Sequence, residues 1–312
     1  MLHKHAIVLT AIIALPILSV AQDSPVSQWS NNMLLSNPSF AGSADKIRLN
    51  IFYRNQWAKA DAGFQYYGVN ADMPINKNMG CGIEMENDHS SAYSRPSIYG
   101  VYSYSVQIDG KSTVSAGIKA GAIQKSLYTS DLTFEQEESI GAKSSNPKID
   151  AGLGISAIFD KIVIAASAEH LTKPQLGIGA NAETRTHIKW SIDAGYICQI
   201  KKPTQKKDIE IMPNIIFQQQ GAQQNLQFCV IGQVDKLLSG ISCRKDLGPD
   251  APEIIVMIGY KSRNLRVAYS YDIETNQRTT RMGNAHELSI TKLFDIKHKE
   301  KRKSIECPSF LR

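Results

Sequence analysis

The sequence predicts an all-β protein: a transmembrane, antiparallel, closed β-barrel of about fourteen strands, with a short N-terminal segment and a basic C-terminal tail. Three observations predict it. Residues 263–272 alternate strictly, with Leu265, Val267, Tyr269 and Tyr271 on one face and Arg266, Ala268, Ser270 and Asp272 on the other. Successive strand side chains point to opposite faces, so such a segment has one apolar and one polar side. The chain opens with the layout of an export signal. Its connections also sort by length: short ones fall at one end of the strands and long ones at the other, as in bacterial outer-membrane barrels.

Taken in order, residues 1–21 form the signal peptide. His3, Lys4 and His5 give a weakly positive start, residues 6–18 form an apolar stretch broken by Pro16, and Ser19-Val20-Ala21 offers small residues for cleavage before Gln22. The apolar run is too short to span a bilayer as a helix. No Cys follows the cut, so a lipid anchor is not expected. Residues 22–43 are polar and carry Asn31, Asn32, Asn37 and Pro38; they pack either in the lumen or along the periplasmic rim.

The barrel is expected over residues 44–295. Its strands fall at 46–57, 63–72, 78–87, 95–107, 111–125, 148–159, 161–170, 185–200, 207–219, 222–234, 237–245, 251–261, 263–272 and 284–294. In the first, Ile47, Leu49, Ile51, Tyr53 and Trp57 oppose Arg48, Asn50, Arg54 and Gln56. In the eighth, Ile188, Trp190, Ile192, Ala194, Tyr196 and Cys198 oppose Lys189, Ser191, Asp193 and Gly195. In the ninth, Ile209, Ile211, Pro213, Ile215 and Phe217 oppose Glu210, Asn214 and Gln218.

With both termini in the periplasm, every second connection should be short. Asp109-Gly110, Asp160-Lys161, Asp235-Lys236, Ser262-Arg263 and the Pro74-containing stretch 73–78 all fall on that side. The long connections 126–147, 171–184 and 273–283 fall opposite. The tight connection at 219–222 is the exception. Trp57, Tyr66, Tyr67, Tyr99, Tyr102, Tyr104, Trp190, Tyr260 and Phe294 lie at or near strand ends, where interfacial girdles form, although strands favour aromatics in any setting.

Bulk properties agree. Net charge is +6, concentrated in Lys201, Lys202, Lys206 and Lys207 and in the tail, residues 296–312. Either run suits an acidic partner, a membrane surface or plain solvent. Mean hydropathy is −0.24, as expected where lipid-facing and lumen-facing residues alternate and cancel. Nothing resembles a nucleic-acid module. The five Cys (Cys81, Cys198, Cys229, Cys243, Cys307) are odd in number and widely spaced, without CxxC or a metal-ligand pattern, and read as structural filler.

No catalytic constellation emerges, so no enzyme, cofactor or metal is expected. His89, His170, His187 and His286 are scattered, and Ser90 and Ser91 beside His89 lack a third partner. Gly152-Leu153-Gly154 and Gly177-Ile178-Gly179 are not followed by a helix, as a nucleotide loop would be. The charges that matter are those of the polar strand faces: Lys119, Asp150, Lys189, Asp193 and Glu210, and above all Arg48, Arg54, Arg266, Asp272 and Glu287. Arg54, Asp272 and Glu287 are expected near the closure between first and last strands, either as an ion pair fixing register or as solvated lumen charges. His286 falls on the face opposite Glu287.

Several local patterns carry a family resemblance. Gln22 to Trp29 reads Q-D-S-P-V-S-Q-W, and Asn37 to Ser43 reads N-P-S-F-A-G-S. Arg54-Asn55-Gln56-Trp57, Ala268-Tyr269-Ser270-Tyr271-Asp272, Gly283-Asn284-Ala285-His286-Glu287-Leu288-Ser289 and Cys307-Pro308-Ser309-Phe310 follow in order. The chain resembles the PorP/SprF family of type IX secretion and gliding-associated outer-membrane proteins along its whole mature length. One departure is Asn284-Ala285, where the family often has Gly-Ser. The resemblance implies a non-enzymatic barrel in the outer membrane that helps a large, adhesin-like surface protein to be secreted or retained, and that touches periplasmic parts of the machine. It carries over no active site. A diffusion channel for small solutes is the alternative function, and a soluble periplasmic β-sandwich the alternative fold.

Overall fold

A computed structural model describes residues 23–60, 63–128, 143–178, 184–200, 209–248, 251–275 and 282–296. The expected signal peptide, the tail beyond residue 296 with Cys307, and the centres of the three long loops lie outside the described residues.

Seventeen strand segments form one sheet: β1 (Ile47–Gln56), β2 (Phe64–Pro74), β3 (Met79–His89), β4 (Tyr93–Gln107), β5 (Ser112–Ile123), β6 (Ser126–Leu127), β7 (Lys143–Ser144), β8 (Lys148–Phe159), β9 (Ile162–Glu169), β10 (Lys189–Tyr196), β11 (Cys198–Ile200), β12 (Ile209–Gln220), β13 (Gln223–Val234), β14 (Leu237–Asp246), β15 (Glu253–Lys261), β16 (Leu265–Glu274) and β17 (Ala285–Phe294). β10 and β11 are two halves of one strand, and β6 and β7 pair as a small extension of the long loop after β5. Fourteen antiparallel staves remain. β1 pairs with both β2 and β17, so the sheet closes on itself. Closure removes every edge and satisfies backbone hydrogen bonds within the wall, the condition for crossing hydrocarbon with strands.

Period-two patterning makes the wall inside-out. Ile51, Ile118, Ile155, Ile192, Phe228, Ile241 and Ile258 are exposed on the outer surface, whereas Arg48, Asn50, Arg54, Glu84, Lys119 and Asp272 are buried inside. A soluble sandwich would bury the apolar faces instead, so the lipid-facing reading holds. On β16, Arg266, Ala268, Ser270 and Asp272 point inward and Tyr269 outward.

Several details depart from the sequence reading. Trp57, expected on the outward face, takes a left-handed φ of 58° past the end of β1 and lines the long-loop mouth of the lumen. The eighth strand begins at Lys189 rather than residue 185, because Arg185 instead bridges Gln175 within the loop. It is interrupted at Ile197, where the shared register sets Tyr196 opposite Pro213, which has no N–H to donate. Tyr99 does not join a girdle. It has the inward parity of Ser97 and Val101, and its hydroxyl donates to Asp150 at 2.9 Å. Tyr66 likewise bonds an inward acid, Glu86.

The tight turns explain themselves locally. Asp160 and Asp235 hold φ of 52° and 57°, a left-handed conformation that Asp tolerates better than most residues and that two-residue hairpins require.

The N-terminal segment runs through the lumen. Asp23 N donates to Gln220 Oε1 at 2.9 Å, at the tip of the β12–β13 hairpin. At the other end Gly42 N donates to Asp72 Oδ2 at 2.7 Å, beside the short β2–β3 turn. The segment therefore starts at the long-loop mouth, against the expectation that both termini lie in the periplasm, and leaves at the short-turn mouth, because its polar side chains find partners all along the lumen. On the way it forms a single helical turn, α1 (Met33–Ser36), and a 3-10 turn, Pro38–Phe40.

Candidate functional site

The lumen is the site, and the plug is its centre. Asn37 fixes the lower half. Its Oδ1 accepts from Ser39 N at 2.9 Å, capping the turn that Pro38 begins. Its Nδ2 donates to the carbonyls of Ile155 (3.1 Å) and Ala166 (2.9 Å) in the wall. Ser39 Oγ donates to Ser156 Oγ at 2.8 Å, and Ser103 Oγ to the Ala41 carbonyl at 2.7 Å. This contact is possible only because the wall lacks side chains there. A Cβ on Gly117 would sit 2.4 Å from the Pro38 carbonyl carbon, and one on Gly154 2.1 Å from Asn37 Oδ1.

Apolar plug residues Trp29, Met33 and Phe40 fill the middle and form one buried cluster with inward Met212, Ile216, Ile231, Leu238 and Met257. The plug thus adds a small hydrophobic core to an otherwise polar lumen.

At the seam, Glu287 faces Arg54 across β1 and β17. Its carboxylate accepts Ser27 N at 2.8 Å and Gln28 N at 3.1 Å. Asp272 Oδ2 accepts from Ser27 Oγ (2.6 Å), Arg54 Nη1 (2.7 Å) and Arg244 Nη2 (2.9 Å). Arg244 also donates to Glu253 at 2.7 Å. Buried charges hold only when paired and hydrogen-bonded; plug and wall share that pairing here, while among the described residues Arg54 Nε, Arg244 Nη1 and Asp272 Oδ1 are buried with no hydrogen-bond partner.

Of the five charges singled out in the sequence, all lie buried in the lumen. Arg54, Asp272 and Glu287 come together. Arg48 instead pairs with Asp72 at 2.7 Å and donates to the Phe40 carbonyl at 3.0 Å. Arg266 donates to Asn31 Oδ1 at 3.2 Å, gripping the plug. Arg244, Asp72 and the plug's Ser27 and Gln28 were missed. Arg244 has the inward parity of Leu238 and Ser242 on β14, a signal available in the alternation.

A second network holds Asp23 of the plug at the long-loop mouth. Asp23 lies 2.8 Å from Arg95 and 2.9 Å from His170 Nε2, and Lys189 approaches at 3.8 Å. His170 Nδ1 meets Asp150. Lys119 bridges Glu169 (2.9 Å) and Glu84 (3.4 Å). Burial opposes ionisation of both Asp23 and His170, but the pairing prevails. The Asp23 carboxyl is held well below the usual carboxylate range by His170 and Arg95, and the His170 imidazole, beyond the end of β9, is raised to about 10 by Asp23 and Asp150. Asp23, Glu169 and His170 place possible metal-ligand atoms within 4.8 Å of one another. Arg95, Lys119 and Lys189 already occupy that space with positive charge, which disfavours a cation. His286 lies outward and bonds the Tyr269 hydroxyl at 2.7 Å.

A closed, inside-out wall with a polar lumen occupied by its own N-terminal segment defines an outer-membrane β-barrel with an internal plug segment. The chain belongs to the family described as type IX secretion system membrane protein PorP/SprF, whose model matches residues 18–291. Among solved structures it is similar to a Pseudomonas aeruginosa FadL homologue, at 10% identity and a TM-score of 0.47, covering 85% of this chain and 94% of that one. It is also similar to the KdgM porin, at 7% identity and a TM-score of 0.37 over 79% and 99% of the two chains. A mutant of Rh. blastica porin gives 6% identity and a TM-score of 0.35 over 80% and 99%. No curated protein matches the chain.

Proposed function

We propose that this barrel is a non-enzymatic docking component of type IX secretion that assists the secretion or surface attachment of a large, adhesin-like partner. The family supplies the process. The observation that supports the docking role is the occupied lumen: residues 27–34 are all buried among wall side chains, which leaves the rims as the surfaces for partners. The outer loops 126–147, 171–184 and 273–283 bind the secreted partner. The periplasmic turns and the basic tail, residues 296–312, contact the machine. Crosslinking in living cells followed by purification of the barrel tests this. Recovery of one large surface protein together with periplasmic secretion components is expected; recovery of neither would sink the docking reading.

A further inference from the structure

Above the plug, the long-loop mouth holds a vestibule of about 340 Å³, floored by Asp23, Ser24 and Pro25. Its volume falls near the lower end of the roughly 300–1,000 Å³ typical of small-molecule sites. From these features the geometry points to a binding site for a short, neutral oligosaccharide at the cell surface.

One wall is aromatic. Trp57 and Phe64 pack edge to face at 5.1 Å between centroids, and Phe64 and Tyr93 follow at 6.2 Å. The rings are inclined to one another by 67° and 49°, so the row offers a stepped apolar surface next to water, the amphipathic setting in which aromatic side chains bind ligands with one apolar and one wet side. The facing wall is a cluster of amides at the β12–β13 hairpin. Among the described residues, the side-chain amide of Asn225 and the amide oxygens of Gln219 and Gln223 make no hydrogen bond in the protein, whereas the Gln223 amide nitrogen donates to Asp246. Side-chain amides supply donors and acceptors together, the complement of hydroxyl groups.

Other ligand classes fit less well. An anion finds its cations already engaged: Arg244 by Glu253 and Asp272, Lys189 by Glu169 and Asp23. An extended peptide finds no strand edge to join, because Gln220 pairs with Gln223 and Asn225 with Asp246. Asp23, Ser24 and Pro25 of the plug line the floor, so the vestibule is built by wall and plug together.

The test uses the whole protein in an amine-oxide detergent free of sugar, titrated with maltose, cellobiose and diacetylchitobiose and followed by calorimetry and tryptophan fluorescence. At least one disaccharide should bind. Trp57→Ala and Asn225→Ala should each weaken that binding about tenfold, and Trp57→Phe should retain most of it. Heat-modifiable gel mobility should stay that of the folded barrel in all three. The proposal falls if no neutral disaccharide binds, if both alanine variants bind as well as the parent, or if an acidic disaccharide or tetralysine binds as tightly. These readouts are separate from crosslinking to a secreted partner, so either reading can fail alone.

Discussion

Arg54 on β1 and Asp272 on β16 form an ion pair of 2.7 Å with β17 lying between them, and each residue is 1% exposed. The pair spans three staves at the point where the barrel closes, and Glu287 on the middle stave receives the plug's backbone. Removing one partner strands a buried charge. Asp272→Ala is therefore expected to cost about 3–5 kcal/mol, because Arg54 and Arg244 both lose their shared acceptor. The gel temperature at which the folded barrel unfolds should drop clearly for this variant. It should drop far less for Lys46→Ala, whose partner Asp295 is largely exposed.

The seat of the Asn37–Ala41 turn gives a second prediction. At Gly117 the obstructing atoms belong to the Pro38–Ser39 backbone and not to a flexible side chain. Gly117→Ala should cost about 1–3 kcal/mol as an overpacking substitution and lift the plug from the wall. Limited proteolysis should then release the N-terminal segment while the barrel stays intact. Gly110→Ala, where no heavy atom lies within 4 Å of the added carbon, is the control and should change nothing.

A pH dependence follows from Asp23 and His170. The folded-state value of His170 is raised to about 10, above its ordinary value of about 6.5. Its contribution is thus complete below that ordinary value and is lost as pH rises through about 10. Asp23 is lowered, so its contribution is present above the ordinary carboxylate range and fades only in strong acid. Between those limits the top of the plug should be held. Protease sensitivity near residue 23 should rise as pH passes about 10 in the parent; with His170→Gln it should already be raised at neutral pH and should not step there.

The barrel was legible because its signal is local. Period-two alternation, Asp-led turns and the length of successive connections are all written in consecutive residues, and β1, β12 and β16 follow their predicted faces. The plug was not legible, because what orders it is remote: Gln28 bonds Ser270 and the Glu287 backbone, more than two hundred residues away. Its consequences are the places where alternation misleads. Met212, Ile216 and Val101 are apolar yet point inward, since Trp29, Met33 and Leu34 wait there. The seam charges were visible as inward positions, but their partners Ser27 and Arg244 depend on the plug's path. Lys189 and His170 show the same limit: neither position hints that Asp23 lies beside it.

The path of the plug makes a last prediction about both topology and permeability. Ser24 lines the outer vestibule, whereas Lys77 sits in the short turn between β2 and β3 at the opposite mouth. In intact cells of a variant with the native cysteines replaced, Ser24→Cys should react with a membrane-impermeant maleimide, and Lys77→Cys should react only after the outer membrane is breached. Reversal of that pattern would overturn the assigned direction of the segment. The same segment decides conduction. A fourteen-stranded wall encloses more space than its side chains alone need to fill, unlike an eight-stranded one, and residues 27–34 occupy part of the difference. Deleting residues 23–43 should convert an electrically silent barrel into one with steady conductance in planar bilayers. Comparable conductance in the intact protein would restore the diffusion-channel reading, because a plug that leaves a permanent pore would not seal the lumen.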